Sequence, residues 1–397
     1  MENTALQTLV LEKCSLCDSA DLDVIADLPT LPLAGIFMEH RKPDVVKGFD
    51  QVFNMCRDCG HMQLANVLSP PALYGEGYAH RSSVSHLSAA ASDFFIDYIG
   101  KLAPSRVFDC ILEIGCNDFV LLEKLSKMGK QVFGIDPIWI DETPQTPENA
   151  TVIGGFVEDI DIGASLGCKP DLIVSTHNLE HIVDPVAMLR KLLDLVADDG
   201  LLVMEVPDSE SLVKNRRFDQ VSHQHIHYLT LATFLKLIKA AGGKYVDHSY
   251  NYANWGGSLS VAFTRDTGSD EQLDIASLTT FEVSADYLGF KEQMARFMDQ
   301  VSRSDHPMVG YGAGQMLPVV AYHLDSNLDF LDCIYDDDMN RNGLYYPFIS
   351  PQITLPAKDL SLDDRGVVIT SLDGVRAISN RLRDFSPRFI YVPISVY

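Results

Sequence analysis

Three histidines alternate with other residues in one short segment, SHQHIHY, at residues 222–228. In an extended strand the side chains of His223, His225 and His227 would all face one way, whereas in a loop they need not. An imidazole with a pKa near neutrality is suited to proton transfer, and a group of imidazoles can also bind a metal ion. No nearby acid or cysteine completes a metal site, so the sequence favours proton transfer. Histidines that only pack or face solvent are the alternative.

Two CxxC pairs lie close to the N-terminus, Cys14 with Cys17 and Cys56 with Cys59. Such pairs are typical of a tetrahedral zinc site, since each hairpin presents two thiolates to one ion. Gly60 after the second pair allows the sharp turn that this arrangement needs. A redox CxxC would require a thioredoxin-like setting, and the sequence shows none. Four cysteine ligands leave no open position, so we predict a structural zinc ion.

Residues 111–136 have the pattern of an apolar strand, a tight turn, an amphipathic helix and a second strand. The turn contains Gly115, and Asp136 stands at the end of the second strand. In nucleotide-binding α/β units an acid at this place holds ribose hydroxyls. The pattern therefore predicts a nucleoside-bearing ligand. An ordinary strand-helix-strand core with an acid at a strand end is the alternative.

Other candidate ligand contacts follow later strands of the same unit. The apolar run 172–175 leads into a loop that contains His177 and Asn178. Open parallel sheets bind ligands at the carboxyl ends of their strands, so these two residues are candidates for cofactor binding. Glu158 and Asp159 follow a shorter strand and are placed to meet an adenine amino group.

A polar and aromatic loop at residues 73–83 precedes the nucleotide-binding unit. Its residues Tyr78, His80 and Arg81 have side chains suited to covering a bound ligand. A domain linker with surface aromatics is an equally good interpretation.

The remainder of the chain predicts a second open α/β sheet. The segment 308–314, MVGYGAG, is a strand that runs into a glycine-rich turn, which by itself is a weak phosphate-binding motif. We predict three parts: a zinc-binding module at 1–68, a cofactor-binding domain at 69–265 and a Rossmann-like domain at 266–397.

Composition limits the class of protein. The 397 residues carry a formal net charge of −24, which argues against general binding to nucleic acid or to anionic membranes. The sequence lacks a basic-then-apolar leader, and no apolar run is long enough to span a bilayer. The cysteines outside the CxxC pairs are scattered through apparent core segments, so we predict a reducing, cytoplasmic location.

Several motifs together resemble those of the nucleotide-sugar C-methyltransferases, which act on keto-deoxysugars. They are CSLC, CRDCGHMQL, LEIGCND, SHQHIHY, WGGSL and GYGAG. That family joins a four-cysteine zinc module, a class I S-adenosylmethionine domain and a C-terminal Rossmann-like domain in this order. The resemblance implies an α/β methyltransferase with structural Zn²⁺, S-adenosylmethionine as cofactor and a nucleotide sugar as acceptor. It implies neither nucleic acid nor a membrane as a partner.

The resemblance also implies roles for individual residues. Glu113, Gly115, Asn117 and Asp136 would bind S-adenosylmethionine. In the catalytic segment with His223 and Gln224, His225 would be the base that removes a proton α to the sugar ketone. Tyr78 or His80 would lie close to the methyl group or the enolate oxygen.

The chain departs from the family pattern at several places. Ser222 replaces a tyrosine of the catalytic segment, and the lysine expected soon after the GYGAG turn is missing, with Gln315, Met316 and Leu317 in its place. Phe119 stands where the family has glycine, and it would crowd the methionine part of the cofactor or reshape the turn. Gln224 replaces an acid, and glutamine can position a group but cannot carry a proton at neutral pH. A diverged enzyme that methylates oxygen or nitrogen of another metabolite is therefore an alternative. So is a sugar-nucleotide enzyme or biosynthetic partner protein that does not transfer methyl groups.

Overall fold

The computed structural model describes residues 9–40, 48–69, 73, 86–253, 256–268, 273 and 275–394. The strands in these ranges form sheets of two, four, seven and five strands. None of the helices in the described ranges is long and apolar enough to cross a membrane.

The N-terminal region is built from short antiparallel strands. They are β1 (Leu9–Val10), β2 (Leu22–Leu31), β3 (Phe49–Cys56), β4 (Met62–Leu64) and β5 (Asn66–Val67). The strands β2, β3 and β4 pair as an antiparallel meander, and β1 pairs with β5. The second CxxC pair lies where β3 turns back into β4, with Gly60 at φ 77° in the turn.

The middle region alternates strands and helices. Its strands are β6 (Phe108–Ile114), β7 (Gly129–Asp136), β8 (Ala150–Gly154), β9 (Leu172–Thr176), β10 (Leu201–Pro207), β11 (His227–Tyr228), β12 (Gly243–Asn251) and β13 (Ser258–Arg265). Its helices are α1 (His86–Leu102), α2 (Leu122–Leu125), α3 (Ile162–Leu166), α4 (Pro185–Leu195), α5 (Ser209–Lys214) and α6 (Leu231–Ala241). Short 3₁₀ turns cover Pro137–Trp139, Leu179–His181 and Phe218–Gln220.

Seven of these strands form one sheet in the order β12-β13-β10-β9-β6-β7-β8. The strands β8, β7, β6, β9 and β10 are parallel, and β13 is antiparallel to both of its neighbours. The first strand of this sheet in chain order, β6, lies near its centre. The next strands, β7 and β8, extend the sheet to one side of β6, and β9 and β10 extend it to the other side. This is the class I methyltransferase topology, and the α/β prediction is confirmed.

The sequence explains why these strands lie at the centre. In β9 four consecutive residues are buried, which is typical of a parallel strand covered by helices on both faces. The helix α6 begins at a capping box formed by Thr230 and Thr233 and ends at Gly242 in the left-handed conformation. The helix α4 begins with Pro185 behind the N-cap Asp184.

One strand of the middle region belongs to the N-terminal sheet. In that sheet the order is β11-β4-β3-β2, and His227 pairs with Gln63 in antiparallel register. The histidine segment therefore runs along the zinc module instead of along the seven-stranded sheet.

The C-terminal region forms a five-stranded parallel sheet in the order β16-β15-β14-β17-β18. Its strands are β14 (Met308–Tyr311), β15 (Leu331–Tyr335), β16 (Ile353–Thr354), β17 (Gly366–Ile369) and β18 (Phe389–Tyr391). Its helices are α7 (Thr280–Ser302), α8 (Leu317–His323) and α9 (Val375–Leu382), with 3₁₀ turns at Met339–Arg341, Leu372–Gly374 and Arg383–Phe385. This arrangement is the predicted Rossmann-like sheet.

The N-terminal and C-terminal regions share one apolar core. It joins Leu31 and Phe53 of the first sheet to Phe290 and Met294 of α7 and to Leu317 of α8. The domain boundaries after residues 68 and 265 stay predictions, because this core and the shared strand β11 extend across them.

One pair of cysteines differs from the sequence prediction. Cys110 in β6 and Cys168 after α3 form a disulfide with a Cα–Cα distance of 6.8 Å. The sequence places these residues far apart and gives no pairing signal. They meet because the parallel pairing of β6 with β9 brings the segment before β9 beside β6.

Candidate active site

A cavity of about 880 Å³ lies at the carboxyl ends of the central parallel strands. The middle region supplies most of its wall. The N-terminal region contributes Ala34, and the C-terminal region contributes Gln315, Met316 and Asp373. Three regions of the chain therefore meet around a single ligand-sized space, at the place where open α/β sheets bind ligands.

The turn after β6 forms one wall of the cavity. Gly115 has φ 77°, and a Cβ there would come within 3.2 Å of Asn178 Nδ2. The Asn117 amide donates to Asp136 Oδ2 at 2.9 Å, and the Ile138 amide donates to Asp136 Oδ1 at 2.9 Å. These bonds hold the Asp136 carboxylate at the cavity wall. The predicted contacts Glu113, Gly115, Asn117, Asp136 and Asn178 all line the cavity.

Phe119 lies in the turn in the left-handed conformation and does not line the cavity. It has φ 75°, and its ring stacks on Trp139 with 4.9 Å between centroids. Its side chain belongs to the core under α1 and α2, and it is not among the described residues that line the cavity. Trp139 Nε1 also donates to the Asn117 carbonyl at 2.7 Å, so the stacked pair supports the turn from behind.

Two further acids are available to a nucleoside ligand. Glu113 is 2% exposed, and its Oε2 has no hydrogen-bond partner among the described residues. Burial and the nearby Asp136 raise the pKa of Glu113 well above its usual range. Glu158 lines the cavity as predicted. A glycine turn, an unpartnered buried carboxyl and a strand-end acid fit the nucleoside and methionine parts of S-adenosylmethionine.

A charged triad also lines the cavity. His177 Nδ1 is 3.5 Å from Glu180 Oε1, and His177 Nε2 is 3.5 Å from Glu205 Oε1. Burial alone would lower the pKa of His177, but its contacts with the two carboxylates raise it to about 10. Burial would raise the pKa of Glu180, but His177 and His181 lower it to about 2. At neutral pH His177 is therefore an imidazolium and Glu180 a carboxylate.

His225 faces the same space as a neutral base. Burial and the neighbouring His181 lower its pKa to about 4. The rings of His181 and His225 meet edge to face at 5.0 Å. His181 Nδ1 lies 2.6 Å from the Gln224 carbonyl, which can only accept, so this nitrogen carries the proton. An unprotonated imidazole beside a buried carboxylate suits proton abstraction.

The three alternating histidines do not share a role. His225 lines the cavity, whereas His223 and His227 are not among the described residues that do. His223 is 1% exposed, its Nε2 donates to the Leu31 carbonyl at 2.9 Å, and its Nδ1 lies 3.2 Å from Gln51 Nε2. The bend before the two-residue strand β11 points the histidines in different directions, so strand alternation does not apply.

Gln224 lines the cavity beside His225. Its Nε2 donates to the Ala34 carbonyl at 3.3 Å, which fixes the amide orientation. Its Oε1 is buried and has no partner among the described residues. This oxygen can accept a hydrogen bond from an acceptor molecule. Tyr78 and His80, the other predicted catalytic residues, lie outside the described residues.

The four predicted zinc ligands are gathered in one place. Their sulfur atoms all lie within 4.8 Å of one another. The Sγ atoms of Cys14 and Cys59 are 3.5 Å apart, and those of Cys17 and Cys56 are 3.6 Å apart. A tetrahedral site with Zn–S bonds of about 2.3 Å requires sulfur separations of roughly 3.8 Å. The donor set and its spacing fit a closed, structural Zn²⁺ site.

The matches to known protein families fall on separate regions of the chain. A family model described as a methyltransferase domain matches residues 85–248, and a zinc binding domain model matches residues 14–74. The C-methyltransferase NovU of Streptomyces niveus is 27% identical over 277 residues, which cover 66% of this chain and 63% of NovU. The chain is similar to this methyltransferase over that stretch. The match spans less than two thirds of the length of NovU, so the substrate of NovU does not by itself define the substrate of this chain.

Other similar proteins are also methyltransferases. A ubiquinone biosynthesis O-methyltransferase of Cereibacter sphaeroides is 25% identical over 171 residues, covering 38% of this chain and 67% of that protein. The crystal structure of the N-methyltransferase NodS from Bradyrhizobium japonicum, with S-adenosyl-L-homocysteine, has a TM-score of 0.37 at 16% identity. It covers 46% of this chain and 88% of NodS. The matching methyltransferase domain model and the cofactor turn support S-adenosylmethionine as the cofactor, and the likeness to NodS carries no argument.

Several cavity residues escaped the sequence prediction. They are Glu180, His181, Glu205, Gln315 and Asp373. Glu180 and His181 follow β9 directly, so their position at a strand end was a usable signal. Nothing in the sequence indicates that Gln315 and Asp373 of the C-terminal sheet reach this cavity.

Replacing Asp136 by asparagine should weaken S-adenosylmethionine binding by about 10-fold or more, because a charged acceptor for ribose hydroxyls is lost. Isothermal titration calorimetry measures the change. Asp159→Asn is the matched control, since Asp159 is exposed and does not line the cavity. Equal affinities for the two variants would contradict the assignment of Asp136.

Replacing Cys56 by serine should remove bound zinc and lower the thermal unfolding temperature, because a structural zinc site contributes folding free energy directly. Metal analysis of the purified protein and a thermal melt give the two readouts. Cys333→Ser is the control, as Cys333 is a half-buried thiol in β15 outside the four-cysteine site. Full zinc content in Cys56→Ser would show that this cysteine is not a ligand.

Proposed function

We propose that this chain transfers the methyl group of S-adenosylmethionine to carbon, next to the ketone of a nucleotide-linked keto-deoxysugar. The observation that carries the proposal is the neutral imidazole of His225, which lines the same cavity as Gln224 and the cofactor turn. The similarity to the C-methyltransferase NovU supports transfer to carbon.

Methylation at the carbon next to a ketone requires a base and a group that stabilises the enolate oxygen. A proton α to a ketone is weakly acidic, so removing it needs a positioned base and stabilisation of the oxygen that becomes negative. His225 would take the proton. The imidazolium of His177, with its side chain 29% exposed, would stabilise negative charge in the cavity. S-adenosylmethionine supplies the electrophilic methyl group when it is bound.

The charge of the cavity wall limits how a nucleotide sugar could bind. Its acids are Glu113, Asp136, Glu158, Glu180, Glu205 and Asp373, and no lysine or arginine among the described residues lines it. These acids outnumber the imidazolium of His177 in the same wall, so the wall disfavours a diphosphate. The sugar would therefore enter the cavity while the diphosphate stays at its mouth. Gln224 Oε1 would accept a hydrogen bond from a sugar hydroxyl or amine.

Methylation of oxygen is the second candidate function. Gln224 replaces the acid of the related C-methyltransferases, and the similarity to ubiquinone biosynthesis O-methyltransferases points the same way. A neutral His225 would remove a hydroxyl proton as readily as a carbon-bound proton. The site then needs less stabilisation of an enolate, and the acceptor would be an alcohol or a phenol.

One assay separates these functions. The protein is incubated with S-adenosylmethionine and a nucleotide-linked keto-deoxysugar, and nuclear magnetic resonance shows whether the new methyl group is on carbon or oxygen. In D₂O without the methyl donor, carbon methylation further predicts exchange of the α-hydrogen. A methyl group on oxygen would favour the second function. Cofactor binding without turnover on any keto sugar would favour a sugar-nucleotide enzyme of another kind or a biosynthetic partner protein.

A further inference from the structure

The third histidine of the alternating segment has a different environment from the other two. His227 is 2% exposed and lies in β11, between the zinc module and the loop after β9. Its Nε2 lies 2.8 Å from the Ile182 carbonyl. Its Nδ1 lies 3.1 Å from His61 Nε2 and 3.3 Å from Ser15 Oγ. Both ring nitrogens are therefore engaged, on opposite sides of the ring.

The partners fix where the protons are. A carbonyl only accepts, so His227 Nε2 carries the proton and Nδ1 is an acceptor. Ser15 Oγ donates to Gln63 Oε1 at 2.9 Å, so the donor to Nδ1 is His61 Nε2. Ser15 lies between Cys14 and Cys17, and His61 follows Cys59 by two residues. Each half of the four-cysteine site thus places one residue against His227.

The other side of the His227 ring contacts the loop after β9, at residues 180–182. Ile182 directly follows Glu180 and His181. The Ile226 amide donates to the Glu180 carbonyl at 2.8 Å, and His181 Nδ1 donates to the Gln224 carbonyl at 2.6 Å. With the bond from His227, three hydrogen bonds join segment 224–227 to loop 180–182. His227 continues into the zinc module through its ring, and Ile226 continues into it through its carbonyl, which accepts from the Leu64 amide at 2.9 Å.

We propose that His227 is a positioning residue that couples the geometry of the four-cysteine site to the loop carrying Glu180 and His181. The proposal rests on the proposed function, in which His225 acts next to these two side chains. Zinc then has a second effect besides folding its own module. It fixes the residues that contact His227, and His227 holds the acceptor side of the cavity. A displacement of about 1 Å in such a loop can cost on the order of 10²-fold in rate.

Two substitutions separate the two sides of the ring. In His227→Gln the amide nitrogen replaces Nε2 and keeps the donor to Ile182, whereas in His227→Asn the amide oxygen replaces Nδ1 and the donor is lost. We expect His227→Asn to lower kcat by about 10–100-fold. Amide hydrogen exchange over 177–182 should become faster, while the affinity for S-adenosylmethionine and the zinc content stay unchanged. His227→Gln should keep most of the activity and the slow exchange.

His248→Asn is the matched control, because His248 lies in β12, away from the cavity, with its Nδ1 bonded to Tyr245. The proposal would be overturned if His227→Asn and His227→Gln had the same kcat and the same rate of amide hydrogen exchange over 177–182. Loss of zinc from His227→Asn would also overturn it, since His227 would then act on the module itself. A wild-type protein without methyl transfer would refute the proposed function, and the exchange rates of loop 177–182 would still decide whether His227 positions it.

Discussion

Replacing His225 by asparagine should lower the rate of methyl transfer by about 10²–10⁴-fold, the usual contribution of a positioned general base. Binding of S-adenosylmethionine should be unchanged, because the cofactor turn is formed by other residues. A steady-state assay gives the rate, and calorimetry gives the affinity. The same variant should lose exchange of the α-hydrogen of the acceptor in D₂O.

The pH dependence provides an independent check on His225. Its pKa is lowered to about 4, so the base is unprotonated and active at neutral pH and is lost only as the pH falls through about 4. An acidic limb with a midpoint near pH 6.5 would contradict a buried, neutral His225. His306→Asn serves as the control, since this histidine packs on Phe389 at the far strand of the C-terminal sheet. Full activity of His225→Asn would exclude His225 as the base.

Replacing Arg217 by alanine should destabilise the protein by about 3–5 kcal/mol, the usual cost of breaking a buried ion pair from one side. Arg217 is 2% exposed and donates to both oxygens of Asp219 at 2.8 and 2.9 Å. It also donates to Asp373 of the C-terminal region at 2.8 Å. Its removal would leave a buried carboxylate at Asp219 without its counter-charge. Urea unfolding measures the change in free energy.

Arg296→Ala is the appropriate comparison for this substitution. Arg296 forms an ion pair with Glu292 on the surface of α7, and both side chains are largely exposed. Exposed pairs contribute little, so the unfolding midpoint of this variant should stay close to that of the wild type. If Arg217→Ala were equally mild, the contact between Arg217 and Asp373 would not hold the C-terminal sheet at the cavity.

The cofactor side of the cavity was largely predictable from sequence. Gly115, Asn117 and Asp136 lie on consecutive elements of one strand-turn-helix-strand unit, so local spacing determines their relation. The four cysteines were predictable for a similar reason, because each pair is fixed within its own turn. The α/β class followed from the alternation of apolar strands with amphipathic helices.

The acceptor side was less predictable, because its geometry depends on contacts between distant segments. The position of His225 depends on β11 pairing with β4 of the N-terminal region. Asp373 reaches the cavity through its bonds to Arg217 and Gln220. Such pairings leave no periodic trace in the sequence. For Phe119, sequence alone left two outcomes open, and stacking on Trp139 decided between them.

The place of β11 in the N-terminal sheet has a consequence for how relatives of this protein could diverge. The cavity residues Gln224 and His225 directly precede β11, which pairs with β4 of the N-terminal region, whereas the cofactor turn belongs to a different sheet. We therefore expect substrate preference to be transferred between relatives when residues 9–69 and residues 222–228 are exchanged together. Exchange of either segment alone would pair strands that had not evolved together.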